Sequence, residues 1–141
     1  MKKNLLLLVL FLTSIFSSCK KDTASKPTIS IAGKWHWVEQ TYDSYTNDKL
    51  TSHEDYTTIL DPLSYFEFDA DGTFIENPQD RNTQFNYGKY HITDNVLYIK
   101  RDIDTEEWHY TIKKLTSSSL IIHSTSGEAP YRGETEYTMK R

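Results

Sequence analysis

From Ile31 onward the chain is written almost entirely in period two. Phe66 and Phe68 fall on one face of the segment 64–68, and Tyr65 and Glu67 on the other. Gly88, Tyr90 and Ile92 share a side of 85–92, and Trp108, Tyr110 and Ile112 share a side of 107–114. Leu120 and Ile122 follow at the same spacing, as do Tyr137, Met139 and Arg141. Alternation of this kind places side chains on opposite faces of a strand, whereas a helix repeats every 3.6 residues. Turn sequences separate the segments: Asp69-Ala70-Asp71-Gly72, Thr93-Asp94-Asn95 and Thr116-Ser117-Ser118. They recur roughly every 8–12 residues, the spacing of an antiparallel meander. A long meander has two bare edges, and closing into a barrel removes both. The expected fold class is all-β, an up-and-down meander closed into a small β-barrel of about eight strands. Glu76–Gln84 and Gly127–Gly133 read as loops, and Lys49–Leu60 reads equally as a second strand or as a short helical lid beginning near Ser52.

The N-terminus obeys different rules. Lys2 and Lys3 precede an apolar run from Leu5 to Leu12, extended by Ile15 and Phe16. The run falls short of the roughly 20 apolar residues that span a bilayer and fits the core of a secretory signal. Phe16-Ser17-Ser18-Cys19 resembles the lipobox of bacterial lipoproteins, which implies cleavage after residue 18 and acylation of Cys19. Two or three acyl chains on this cysteine would anchor the chain stably to a membrane. Residues 1–18 are thus read as a signal peptide and 19–32 as a lipidated N-terminus and flexible tether. The stretch Lys20–Ser30 is polar and interrupted by Pro27, and extended it reaches about 35 Å. Lys20-Lys21-Asp22 resembles the charged signal that carries some Gram-negative lipoproteins through to the outer face of the outer membrane.

Residues 33–141 carry a second resemblance. Gly33-Lys34-Trp35 has the Gly-x-Trp form of the lipocalin first strand. Asp71-Gly72-Thr73-Phe74, Gly88-Lys89-Tyr90-His91-Ile92, Leu97–Ile99, Leu115-Thr116 and Leu120–Ile122 follow in the order seen in the lipocalin-like domain of bacterial lipoproteins. The resemblance implies a lipocalin-like barrel with Arg141 stacked on an inward-facing Trp35. Period two places Arg141 on the face of Tyr137 and Met139, and Arg over Trp is a favoured cation–π pair.

Chemistry-bearing patterns are sparse. The formal net charge of −4 argues against a nucleic-acid partner, which would require clustered Lys and Arg. A single cysteine excludes a disulfide framework. The histidines at 36, 53, 91, 109 and 123 include no pair at metal-ligand spacing, so no metal or other cofactor is expected. No nucleophile elbow, phosphate-binding glycine loop or buried carboxylate pair is legible, so no catalytic residue is assigned.

What remains is aromatic. The chain carries three Trp and ten Tyr, a composition that fills a narrow barrel or lines a pocket. Trp37, Glu39, Phe66, Tyr90 and Tyr110 are the expected lining for a small apolar ligand, with Glu39 placed on the Trp35 and Trp37 face by period two. The alternative is a filled core whose outer surface engages a protein or a glycan.

Overall fold

The computed structural model describes residues 29–78 and 84–141. The signal segment, Cys19 and most of the tether lie outside the described residues. The order of elements is β1 (Gly33–Thr46), β2 (Lys49–Asp55), a 3-10 turn (Thr57–Ile59), β3 (Tyr65–Phe68), β4 (Thr73–Asn77), β5 (Asn86–Thr93), β6 (Val96–Arg101), β7 (Trp108–Leu115), β8 (Ser119–Glu128) and β9 (Tyr131–Lys140).

Every strand pairs antiparallel with a neighbour, and β9 returns to β1. The closed ring therefore comprises eight strands, β1 and β3 to β9. β2 is the ninth and stands outside the ring. β1 serves both: its N-terminal part, Gly33–His36, pairs with β3, while Thr41–Thr46 pairs with β2. The segment left open between strand and lid thus forms a strand followed by a single 3-10 turn. Its hairpin with β1 turns through Asn47 and Asp48, both at positive φ (50° and 59°), which Asn and Asp tolerate better than most residues.

The stretch 127–133, expected as a loop, is instead a tight hairpin. β8 runs to Glu128 and β9 starts at Tyr131. Gly and Pro at this tip mark a turn in sequence, but the paired strands on either side are polar and show no apolar alternation.

The core lies in the lower half of the ring. Trp35, Phe68, Phe74, Leu97, Leu120, Ile122 and Met139 are fully buried, with Phe66, Ile99 and Ile112 nearly so. The aromatic rings interlock edge to face: Phe66 and Phe74 at 5.2 Å, Phe68 and Tyr90 at 4.9 Å, and Phe66 and Trp37 at 5.0 Å with perpendicular planes. This geometry sets the positive edge of one ring against the negative face of the next.

The lower end is plugged. Turns at 69–72, 94–95 and 116–118 close three of its hairpins. Arg141 places its guanidinium 4.2 Å from the Trp35 ring centre, and its Nη2 donates to the carbonyls of Ala32 (2.6 Å) and Ser30 (3.1 Å). The Trp35 indole N–H donates to the Ile31 carbonyl at 2.7 Å. Gly33 makes this packing possible. Its φ is +130°, and a Cβ there would sit 3.3 Å from the Arg141 guanidinium.

Arg141→Ala removes a cation–π contact and the carbonyl hydrogen bonds together. It should lower unfolding stability by about 1–2 kcal/mol in a urea titration. An unchanged midpoint would show that the plug contributes nothing to stability.

Candidate ligand site at the open end

The opposite end of the ring is built differently. Here the inner-face positions of β4, β6 and β7 reach Glu76, Arg101 and Trp108. Glu76 is only 9% exposed. Its Oε2 accepts from Arg101 Nη1 at 3.1 Å and from Asn86 Nδ2 at 2.8 Å. Arg101 Nε donates to Asp104 Oδ2 at 2.6 Å, and the Trp108 indole N–H donates to the same oxygen at 2.7 Å. The Arg101 hydrogen bond, supported by that of Trp108, holds the Asp104 carboxyl below the usual carboxylate range. The guanidinium also lies 5.1 Å from the Trp108 ring centre. One arginine therefore ties three strands and the β6–β7 connection together.

Below this charged layer stand aromatic rings. Trp37 lies 5.6 Å from Tyr137, which lies 6.2 Å from Tyr110. Burial, with smaller contributions from Tyr137 and Glu76, pushes the Tyr110 hydroxyl far above its ordinary pKa. Tyr137 is raised mainly by burial as well. Both are therefore neutral phenols at physiological pH, able to donate a hydrogen bond. The Trp37 indole N–H is buried and has no hydrogen-bond partner among the described residues. The void framed by Phe66, Phe74, Glu76, Ile99, Arg101 and Tyr110 measures about 20 Å³, barely the room one water needs.

The residues expected to line a pocket divide on this geometry. Trp37, Phe66 and Tyr110 come together beneath the mouth. Tyr90 does not join them: it packs on Phe68 near the plugged end, and its hydroxyl donates to the Asp69 carbonyl at 2.8 Å. Glu39 is on the other face altogether and is exposed. The β1–β9 register slips between Trp37 and Glu39, pairing Trp37 with Met139 but Glu39 with Thr138. The bulge at Val38 inserts one residue, so every position beyond it changes face. Gln40, rather than Glu39, stands inward beside Tyr137.

Glu76 and Arg101 are the site residues that alternation alone did not single out, and Tyr137, read on one face with Met139, was not assigned to the site. Phe74-Ile75-Glu76 and Ile99-Lys100-Arg101 did carry a signal, a charge two residues beyond a core side chain on the same face. The histidines are dispersed. His91 and His109 flank Tyr98 on the outside of the barrel, His53 meets Asp43 at 2.6 Å, and His123 meets Glu134 at 3.4 Å. Among the described residues no group of three His, Cys, Asp or Glu side chains is placed to hold a metal ion.

A plugged eight-stranded antiparallel barrel, opened by Gly-x-Trp with an arginine across the tryptophan, is the frame around this site. The sequence pattern of the lipocalin-like domain family matches residues 31–122, more than half of the chain. The chain belongs to this family. No curated protein matches it. Among solved structures, apocrustacyanin C2 is similar over 84% of this chain and 64% of its own, at 15% identity and a TM-score of 0.54. Lobster apocrustacyanin A1 aligns over 78% of this chain and 59% of its own, with 14% identity and a TM-score of 0.52. A lipocalin-like protein from Bacteroides uniformis ATCC 8492 aligns over 78% and 96%, at 14% identity and 0.49. At these identities the crustacyanin likeness is one of fold. This lipocalin-like domain spans less than two thirds of each crustacyanin chain.

A half-buried ion pair in the mouth of a lipocalin-like barrel is poorly explained by stability, since apolar replacements of such pairs are often neutral or better. Arg101→Met leaves the Glu76 carboxylate buried without its charge partner and should cost about 3 kcal/mol. Adding Glu76→Met should recover most of that loss. A double-mutant cycle by chemical denaturation reads both values, and a null effect of Arg101→Met would show the two groups to be uncoupled.

Proposed function

We propose that this protein is a membrane-anchored, non-catalytic binder that holds a small, partly apolar molecule at the open mouth of its barrel. The observation that carries this reading is the buried Trp37 indole N–H, without a partner among the described residues, set beside the neutral Tyr110 and Tyr137 phenols. A buried donor left unpaired costs about 1–3 kcal/mol, and a ligand acceptor would relieve it. The rim supports the same end of the barrel. Leu63, Phe85, Ile103 and Trp108 lie in or beside the connections at this end, and each leaves 44–74% of its surface in water. The ligand would seat above the Phe66–Phe74–Ile99 floor, with Arg101 and Glu76 orienting a polar group.

The small void favours a second reading, a filled barrel that serves as an interaction module for a protein or glycan. An environment-sensitive apolar dye titrated into the full chain bearing Cys19→Ser separates the two. Saturable one-to-one binding, weakened about tenfold by Trp108→Ala, is the outcome expected for a mouth site. Trp108 is 48% exposed, so its removal leaves the core intact. Absence of saturable binding would return the protein to the interaction-module reading.

Anchoring rests on the leader, the lipobox-like tetrapeptide and Cys19. The reading places the domain in the Gram-negative envelope, tethered to the outer membrane, with Lys20-Lys21-Asp22 directing it to the cell surface. Cys19→Ser should shift the protein from the membrane fraction to the soluble periplasm. Retention in the membrane at an unchanged level would overturn the lipoprotein assignment.

A further inference from the structure

Beyond the ring, the upper parts of β1, β8 and β9 continue as a sheet edged by β2. Its two hairpin tips are tied together, the Asn47 N–H donating to the Pro130 carbonyl at 2.8 Å. The inner face can be followed outward by register. Gln40 lies opposite Tyr137, Tyr42 opposite Thr135, Ser44 opposite Gly133 and Thr46 opposite Tyr131. On β8 the same rows end in Ile122, Ser124, Ser126 and Glu128.

The chemistry of this face changes abruptly past Tyr137. Below that row it is aromatic and aliphatic. Above it, the side chains are hydroxyls and phenols, with Glu128 in the last row at the hairpin tip. The other face of the same sheet carries the paired charges: Arg132 lies 4.6 Å from the Tyr45 ring centre and pairs with Glu134 at 3.1 Å, and Glu134 meets His123.

Along the hydroxyl face runs a groove of about 290 Å³, close to the lower end of small-molecule sites. Tyr42 and Tyr131 wall it, Ser44, Thr46 and Ser126 run along it, and Gly133 is at its floor. The glycine is required by its neighbours. A Cβ there would collide with the Tyr42 hydroxyl and lie 2.9 Å from Ser126 Oγ. Bare backbone thus lets two hydroxyls from different strands converge on one point. Among the described residues, none of these side-chain hydroxyls is engaged in a hydrogen bond; Ser44 accepts from Thr51 only through its carbonyl.

We propose that this groove is a second binding site, independent of the mouth, and that its ligand is a neutral saccharide. Converging hydroxyls that both donate and accept match a ring of alcohol groups. Tyrosine faces match the C–H surface of a sugar and keep a polar tip for its edge. No aliphatic side chain lines the groove to select for an apolar molecule, and Arg132, its one charged lining residue, directs its guanidinium to Tyr45, Glu134 and Asp48.

The test uses the full chain bearing Cys19→Ser, titrated separately with maltose, cellobiose and N,N′-diacetylchitobiose and read by calorimetry and saturation-transfer NMR. Saturable binding of at least one sugar, with Kd of about 1 mM or tighter, is expected. Tyr131→Ala should weaken it about tenfold or more. Tyr131 is 70% exposed, and an unchanged thermal midpoint would confirm that the variant is folded. Ser126→Ala, which removes the hydroxyl and adds no bulk, should weaken binding in the same direction. Trp108→Ala should leave sugar affinity unchanged, and Tyr131→Ala should leave dye binding unchanged, so failure at one site is distinguishable from failure at the other. No saturable sugar binding, or binding that both Tyr131→Ala and Ser126→Ala leave unaltered, overturns the proposal.

Discussion

Closure of the ring rests on one strand with three partners. β1 meets β3 along Gly33–His36, β9 along almost its whole length and β2 along Thr41–Thr46. Without the β1–β9 ladder the sheet would be open, with β9 exposing a row of unpaired backbone groups. Fourteen residues allow β1 to do this. The lower part completes the barrel, and the upper part carries a sheet that the barrel does not need. The bulge at Val38 falls where β1 leaves one role for the other. It lets the strand twist away from β3 and resets which side chains face inward.

The two ends of the barrel use arginine for opposite purposes. At the plugged end, Arg141 lies against Trp35 and satisfies carbonyls of the entering chain, and among the described residues no carboxylate pairs with it. The cost of ordering the side chain is offset by packing and by hydrogen bonds to backbone oxygens that Gly33 leaves approachable. At the open end, Arg101 is held by two carboxylates, Glu76 and Asp104, and stands against Trp108. A charge network of this kind adds little stability over apolar side chains of similar size. It does keep the mouth polar above an apolar, ring-lined floor.

The third region, the upper sheet, has a face for each kind of chemistry. Charges pair with one another on the outside, where water screens them. Hydroxyls and phenols stand on the inside, continuous with the aromatic floor but without its apolar content. A barrel whose lower core is filled can therefore still present two concave surfaces of different character: a ring-lined mouth and a hydroxyl-lined groove.

Alternation was sufficient for the strands of the lower ring, because strand periodicity is a local property and core side chains recur at every second position. Phe66, Phe68, Leu97, Ile99, Leu120 and Ile122 were all legible in this way, and so was the closed all-β class. The lipocalin-like motifs were legible too, since Gly33 and Trp35 lie two residues apart. The upper sheet was not, because its inner rows are as polar as its outer ones and carry no burial signal. Nor was the placement of Glu39, since a bulge is set by the register of β1 against β9, about a hundred residues away in the chain. The Glu76–Arg101 pair and the convergence of Tyr42 and Ser126 over Gly133 belong to the same class. The sequence by itself determined the strands of the lower ring and the aromatic core, both of which depend on near neighbours. Only the tertiary structure decided which polar groups face inward and meet, because that depends on the pairing of distant strands.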